Sequence, residues 1–128
     1  MKIAIPTAHD YATVSGHAGQ SRQWLVYDCR PGQPVAEPAR ISLEKDQVMH
    51  HFKDDGPHPL DGVDIVIAGS AWDGFFRHMQ KRGADVLLTA ETEPAAALAK
   101  ILSGEALPDP RWDPSLLLCK VRDLFSRY

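Results

Sequence analysis

The chain has 128 residues, 44% of them hydrophobic, with 14 Lys and Arg against 17 Asp and Glu for a formal net charge of −3. That length fills one domain core and leaves no room for two, and the dispersed basic residues exclude the electrostatic footprint that nucleic-acid binding needs. No stretch approaches a membrane span, the N-terminus enters a strand pattern without a basic, apolar leader, and Cys29 and Cys119 are too few for a disulfide framework or a zinc thiolate cage, so the expectation is a cytoplasmic protein with two free thiols.

Ile3 and Ile5 alternate with smaller neighbours, which predicts an opening strand stopped by Pro6. A polar loop follows, with His17 among the small residues Gly16, Ala18 and Gly19, and Trp24 to Tyr27 then form a second, aromatic and β-branched strand. Loops carried on a rigid sheet hold binding groups, and the small neighbours of His17 would let a bulky ligand reach the backbone. Arg30-Pro31-Gly32-Gln33 reads as a turn. Pro34 to Ile41 is predicted as a third strand, kept at a sheet edge by Pro38 and hairpinned with the second. Ser42 is predicted to cap a short helix carrying Leu43, Val48 and Phe52 on one side, ending before Asp54-Asp55-Gly56-Pro57.

Val63 to Ala68 is an almost unbroken apolar run, the pattern of a central strand covered on both faces. Ser70 and Asp73 resemble a capping pair for a helix bearing Trp72, Phe75, Phe76 and Met79, which Gly83 ends. Val86 to Leu88 gives the next strand. Thr92 is the expected cap of a further helix with Pro94 in its first turn, Ala95, Leu98, Ile101 and Leu102 as its buried stripe, and Gly104 as its stop. Strands alternating with helices in this half require crossovers and parallel pairing, so the fold class is α/β, a mixed β-sheet flanked by helices in a single domain.

Residues 108–128 differ in character. Pro108-Asp109-Pro110-Arg111-Trp112-Asp113-Pro114 is a linker, and an added C-terminal helix follows with Leu117, Leu118, Val121, Leu124 and Phe125 as an amphipathic stripe. The stripe packs on the chain's own sheet or, as the alternative, on a partner or a second copy, making a homodimer. The division is therefore an α/β domain over 1–107 and a linker plus helix over 108–128.

Imidazole and thiolate are common transition-metal ligands, although a lone loop histidine taken by itself is more often a surface or hydrogen-bonded residue. His17 leads the candidates, and Cys29, just past the second strand, is a second metal ligand if strand register brings it to the same end of the sheet. Cys119 reads as a small core residue. His50 and His51 are adjacent and point in different directions on a helix, so they read as a solvated face; His51 and His58, flanking a Pro/Gly turn, are the alternative metal pair. His78, beside Arg77, Lys81 and Arg82, is assigned to solvent. There is no nucleophile elbow, phosphate loop or His/Cys/Asp set at catalytic spacing.

Met1-Lys-Ile-Ala-Ile-Pro-Thr7, Val14-Ser-Gly-His-Ala-Gly19, Gly62-Val-Asp-Ile-Val-Ile-Ala-Gly69 and Glu93-Pro-Ala-Ala-Ala-Leu-Ala-Lys-Ile-Leu-Ser-Gly104, in that order, resemble the dinitrogenase iron-molybdenum cofactor biosynthesis family. The resemblance implies a ribonuclease H-like α/β layout and a non-catalytic carrier that binds an iron-sulfur cluster or the iron-molybdenum cofactor and works with nitrogenase assembly proteins. It makes His17 the cluster ligand, with Ser15, Ser21 and the backbone amides around Gly16 and Gly19 as its polar surroundings. The family's usual His-Phe-Gly is His17-Ala18-Gly19 here, and its glycine-rich turn after the fourth strand is Ser70-Ala71-Trp72-Asp73-Gly74; the pocket is thus wider or filled by Trp72. The opening strand Lys2-Ile-Ala-Ile-Pro6 carries no carboxylate, which argues against a two-metal nuclease. The competing class is a protein-interaction module on the same fold that has lost its cluster and binds through the terminal helix.

Overall fold

The computed structural model describes residues 1–30, 34–53 and 56–102. The terminal linker and helix, Gly104, Trp112, Cys119 and the tip of the Arg30–Gln33 turn lie outside the described residues.

Five strands form one mixed sheet: β1 (Lys2–Thr7), β2 (Gln23–Asp28), β3 (Ala39–Ser42), β4 (Ile65–Ala68) and β5 (Asp85–Leu88), in the order β3-β2-β1-β4-β5. β1 pairs antiparallel with β2, and β2 with β3; β4 lies parallel to both β1 and β5. Helix α1 (Asp73–Lys81) links β4 to β5, and α2 (Pro94–Leu102) follows β5. This is the expected α/β arrangement, a mixed sheet flanked by helices with the ribonuclease H-like layout.

Alternation along the strands divides the core into two layers. Ile3, Ile5, Leu25, Tyr27, Ile65, Ile67 and Leu87 meet Ala97, Leu98 and Ile101 of α2 on one face. Ala4, Trp24, Val66, Ala68 and Val86 meet Phe75 and Met79 of α1 on the other, together with Leu43, Val48, Met49, Leu60 and Val63. The β4 side chains are all buried, as a strand covered on both sides demands. Its apolar pattern predicts a central strand, but the middle of the sheet is β1; β4 sits one position aside.

Several boundaries differ from the sequence reading for local reasons. Pro6 does not stop β1, which runs on to Thr7 with Pro6 opposite Trp24. On β1, β4 pairs with Ile3 and Ala4 alone; beyond them Val14 and Ser15 take that side, with the Ser15 N–H donating to Pro6 O, so the missing Pro6 N–H interrupts no ladder with β4. The third strand is shorter than expected, beginning after Pro38, and takes the predicted edge position. In place of a helix capped by Ser42, Lys45–Gln47 makes one 3₁₀ turn, with the Glu44 N–H donating to Gln47 Oε1 at 2.9 Å.

Helix α1 starts at Asp73 with Trp72 in the capping position and no side-chain cap, so Ser70 and Asp73 do not form the expected pair. Gly83 follows the helix at φ 82°, a left-handed turn that glycine adopts without strain. In α2, Pro94 is the first helical residue; Thr92 lies too far upstream to be the cap, and Ala95 is exposed while Ala97 takes its place in the buried stripe. Among the described residues, no helix is long and apolar enough to cross a membrane.

Candidate functional site

The loop between β1 and β2 is built into the C-terminal ends of the parallel strands. The Ser15 N–H donates to Pro6 O at 2.8 Å, and Ser15 O accepts the Gly69 N–H at 3.0 Å. Ser15 is therefore wedged between the ends of β1 and β4. Around it the Val14 N–H donates to Thr92 O at 2.8 Å, the Ala18 N–H to Ser70 O at 3.3 Å, and the Ser70 hydroxyl to Gly16 O. In open α/β sheets this end, where neighbouring strands depart to different connections, is where ligands bind.

Gly69 makes the wedge feasible. A Cβ there would lie 2.8 Å from Ser15 O and 3.3 Å from Gly16 Cα, both backbone atoms. Only a residue without a side chain lets the two segments approach so closely.

His17 stands at the rim of this loop with an exposed side chain. Its backbone is held by three bonds: its N–H donates to Ser15 Oγ at 3.0 Å, and its carbonyl accepts from the Gln20 N–H at 3.0 Å and from Ser21 Oγ at 3.0 Å. Ser21 Oγ and Ser15 Oγ are 2.6 Å apart. A carbonyl only accepts, so the proton assignment that uses both hydroxyls has Ser21 donating to His17 O and Ser15 donating to Ser21 Oγ. The two serines expected to face a ligand are thus spent on each other and on the main chain. They position the imidazole.

An open cleft of about 520 Å³ adjoins the loop, lined by Thr7, Ser15, His17, Gln20, Ser21, Arg22 and Ser42 among others. The Thr7 hydroxyl is committed to Gln23 O at 3.1 Å, and His17 and Arg22 are the titratable residues among the described lining residues. Arg22 was not singled out in the sequence; its place one residue before β2, beside the polar loop, is the signal that could have found it.

Trp72 occupies the space next to Gly19. A Cβ on Gly19 would meet Trp72 Cη2 at 2.7 Å, and one on Gly74 would meet Trp72 Nε1 at 2.8 Å. Of the sequence's two alternatives, a wider pocket or one filled by Trp72, the indole fills the space beside Gly19 while the cleft lined by His17 stays open. Ala18 and Gly19 are buried, while Gly16 is exposed with nothing within 4 Å of its Cβ direction. A bulky ligand can therefore approach the backbone at Gly16, and at Gly19 the indole is in the way.

Cys29 is not brought to this site. It follows the other end of β2, where its N–H donates to Met1 O at 2.8 Å and its carbonyl accepts from the N-terminal ammonium at 2.8 Å. Six strand residues separate it from the His17 loop, roughly 20 Å at strand rise. The residue is 3% exposed, and burial pushes its thiol pKa up, with the N-terminal ammonium pulling the other way. A thiol held protonated in a core is a poor ligand.

The remaining histidines separate into two kinds. His50 and His51 are exposed, with ring centroids 4.9 Å apart, and His50 sits edge-on to Trp72 at 4.9 Å. His58 is buried: Nε2 lies 2.6 Å from Gln47 O, and Nδ1 accepts the Leu60 N–H at 3.0 Å. Both ring nitrogens are in use, so the alternative reading of His51 and His58 as a metal pair is not met. Burial pushes the His58 pKa down, outweighing its bond to the Gln47 carbonyl. His78 is half-buried, 6.0 Å from the Phe52 ring, and is not the solvated residue expected. Among the described residues, no group of three or more His, Cys, Asp or Glu is placed to hold a metal ion.

A family model described as dinitrogenase iron-molybdenum cofactor matches residues 1–104. No curated protein matches the chain in sequence. Among solved structures, PH0822 aligns at TM-score 0.66 and 20% identity, covering 88% of this chain and 100% of its own. A Methanocaldococcus jannaschii protein described as a candidate dinitrogenase aligns at TM-score 0.60 and 14% identity, covering 82% of this chain and 90% of its own. A Thermotoga protein described as a candidate NifB protein of the DUF35 family aligns at TM-score 0.56 and 19% identity, over 80% of this chain and 88% of its own. At these identities the structures establish the shared fold.

Proposed function

The chain belongs to the dinitrogenase iron-molybdenum cofactor family, and from that premise we propose that it is a non-catalytic carrier whose cargo is an iron-sulfur cluster or the iron-molybdenum cofactor, bound through His17. The observation that carries this reading is the pairing of an exposed imidazole with a rigidly held backbone. Ser15, Ser21 and Gln20 fix the main chain of His17, while the ring itself is left to solvent beside Arg22.

A neutral imidazole coordinates iron through its unprotonated ring nitrogen. A single protein ligand gives coordination that exchanges readily, which suits custody and handover to a nitrogenase assembly protein offering more ligands. Arg22 on the same cleft supplies positive charge toward an anionic cluster, and Gly16 leaves room for close approach. Work of this kind places the protein in the cytoplasm.

The test is an anaerobic titration of the purified chain with iron-sulfur and iron-molybdenum clusters, followed by absorption and electron paramagnetic resonance. Saturable binding that His17→Ala weakens at least about tenfold, with unchanged melting, supports a carrier, since one lost ligand is worth that much or more. Equal affinity in the variant would remove His17 from the site. No binding of any cluster by the intact chain would favour an interaction module on the same fold, a reading that the Trp72-filled space beside Gly19 supports.

A further inference from the structure

A second cleft, of about 420 Å³, shares Gln20 and Arg22 with the His17 cleft and is otherwise lined by Lys45, Val48, His50 and His51. Its volume is in the range of small-molecule sites. Among the described residues, none that lines it is acidic, in a chain whose net charge is −3. The charged or titratable groups among its described lining residues are a guanidinium, an ammonium and two imidazoles, while Glu44 and Asp46 line a neighbouring cleft that shares Lys45 and His51.

The donors are anchored through the main chain. The Arg22 Nε–H donates to Leu43 O at 3.1 Å, and the Leu43 N–H returns a bond to Arg22 O at 2.7 Å. That fixes one edge of the guanidinium, and Arg22 lines both clefts. The His50 N–H donates to Gly19 O at 2.7 Å, and its ring is braced edge-on by Trp72 and by His51. Buried Val48 supplies an apolar wall. A planar fork, a point charge and two imidazoles lining one space suit a ligand with several anionic oxygens.

We propose that the cleft bounded by Arg22, Lys45, His50 and His51 binds a small, free multivalent oxyanion, a phosphate or polycarboxylate, at a site separate from the His17 ring. The site does not depend on cluster binding. Its closeness to the His17 cleft, through Arg22, makes the two occupants neighbours that share one guanidinium.

The test is a titration of the ¹⁵N-labelled full chain with inorganic phosphate and with citrate, each against sodium chloride at matched ionic strength. Saturable shifts of the Arg22, Lys45, His50 and His51 amides and the Trp72 indole N–H are expected with at least one of the two probes. The Lys45→Ala/His51→Ala protein, altered only at exposed side chains, should bind about tenfold more weakly, and Lys45→Glu weaker still. Shifts that chloride reproduces, that do not saturate, that centre on Thr7 and Ser15, or that persist with equal affinity in both variants would overturn the proposal.

Discussion

Gly69→Ala is the sharpest probe of how the His17 loop is held. The new Cβ would stand 2.8 Å from Ser15 O, 3.3 Å from Gly16 Cα and 3.4 Å from Ser15 C, against an ordinary contact distance near 3.5 Å. Ser15 cannot simply retreat, because its N–H is bonded to Pro6 O on the opposite side. Relief requires a backbone shift of several tenths of an ångström, which stretches the Gly69 N–H bond to Ser15 O. Overpacking costs about 1–3 kcal/mol, and the weakened bond about 0.5–1.5 kcal/mol. Alanine's smaller unfolded-chain entropy offsets about 0.4–1 kcal/mol of that. The net loss lies within about 0.5–4 kcal/mol and centres on about 2 kcal/mol, a Tm drop centred on roughly 8 °C for a chain of this size. Gly16→Ala is the control, since nothing lies within 4 Å of its Cβ direction, and it should stay within about 0.5 kcal/mol of the parent. Thermal melts followed by circular dichroism, with urea midpoints alongside, give both numbers. A Gly69→Ala protein melting within about 2 °C of the parent would refute the wedge, as would a Gly16→Ala loss of equal size.

Gly19→Ala meets the Trp72 ring, a half-exposed side chain that can swing aside, so it should cost about 1 kcal/mol less than Gly69→Ala. Trp72 emission should move to longer wavelength as the indole leaves Gly19, and an unmoved spectrum with full stability would contradict the packing. His58 sets a pH dependence: its folded pKa lies below the unfolded value near 6.5, so the unfolded chain takes up the proton first and stability falls as pH drops below about 6.5. Urea midpoints between pH 7.5 and 5.5 should converge less steeply in His58→Gln, which keeps a donor for the Gln47 carbonyl and does not titrate; identical slopes would clear His58 of the effect.

Both hairpin strands, the apolar run of β4 and the two amphipathic helices were legible because each is written in local periodicity. Ile3 and Ile5, Trp24 to Tyr27, and Phe75 with Met79 carry patterns that only one backbone geometry buries. Pairings with long sequence separation were not legible in that way. That β1 rather than β4 holds the middle of the sheet follows from which strands find each other, and no single run encodes it. Errors of one to three residues at helix starts arose where side-chain caps were expected and main-chain geometry served instead, as at Trp72.

The candidate site divides along the same line. By itself the sequence determined that His17 rides a small-residue loop between two adjacent strands, because strand and loop chemistry is local. Tertiary structure alone decided the rest: Cys29 lies at the far end of β2, His58 is locked between Gln47 and Leu60, and the hydroxyls of Ser15 and Ser21 brace the loop. It also joined Arg22 to Lys45, His50 and His51, which are more than twenty residues away in the chain. Register, burial and the direction of a hydrogen bond depend on what packs opposite, and that partner is chosen only when distant segments meet.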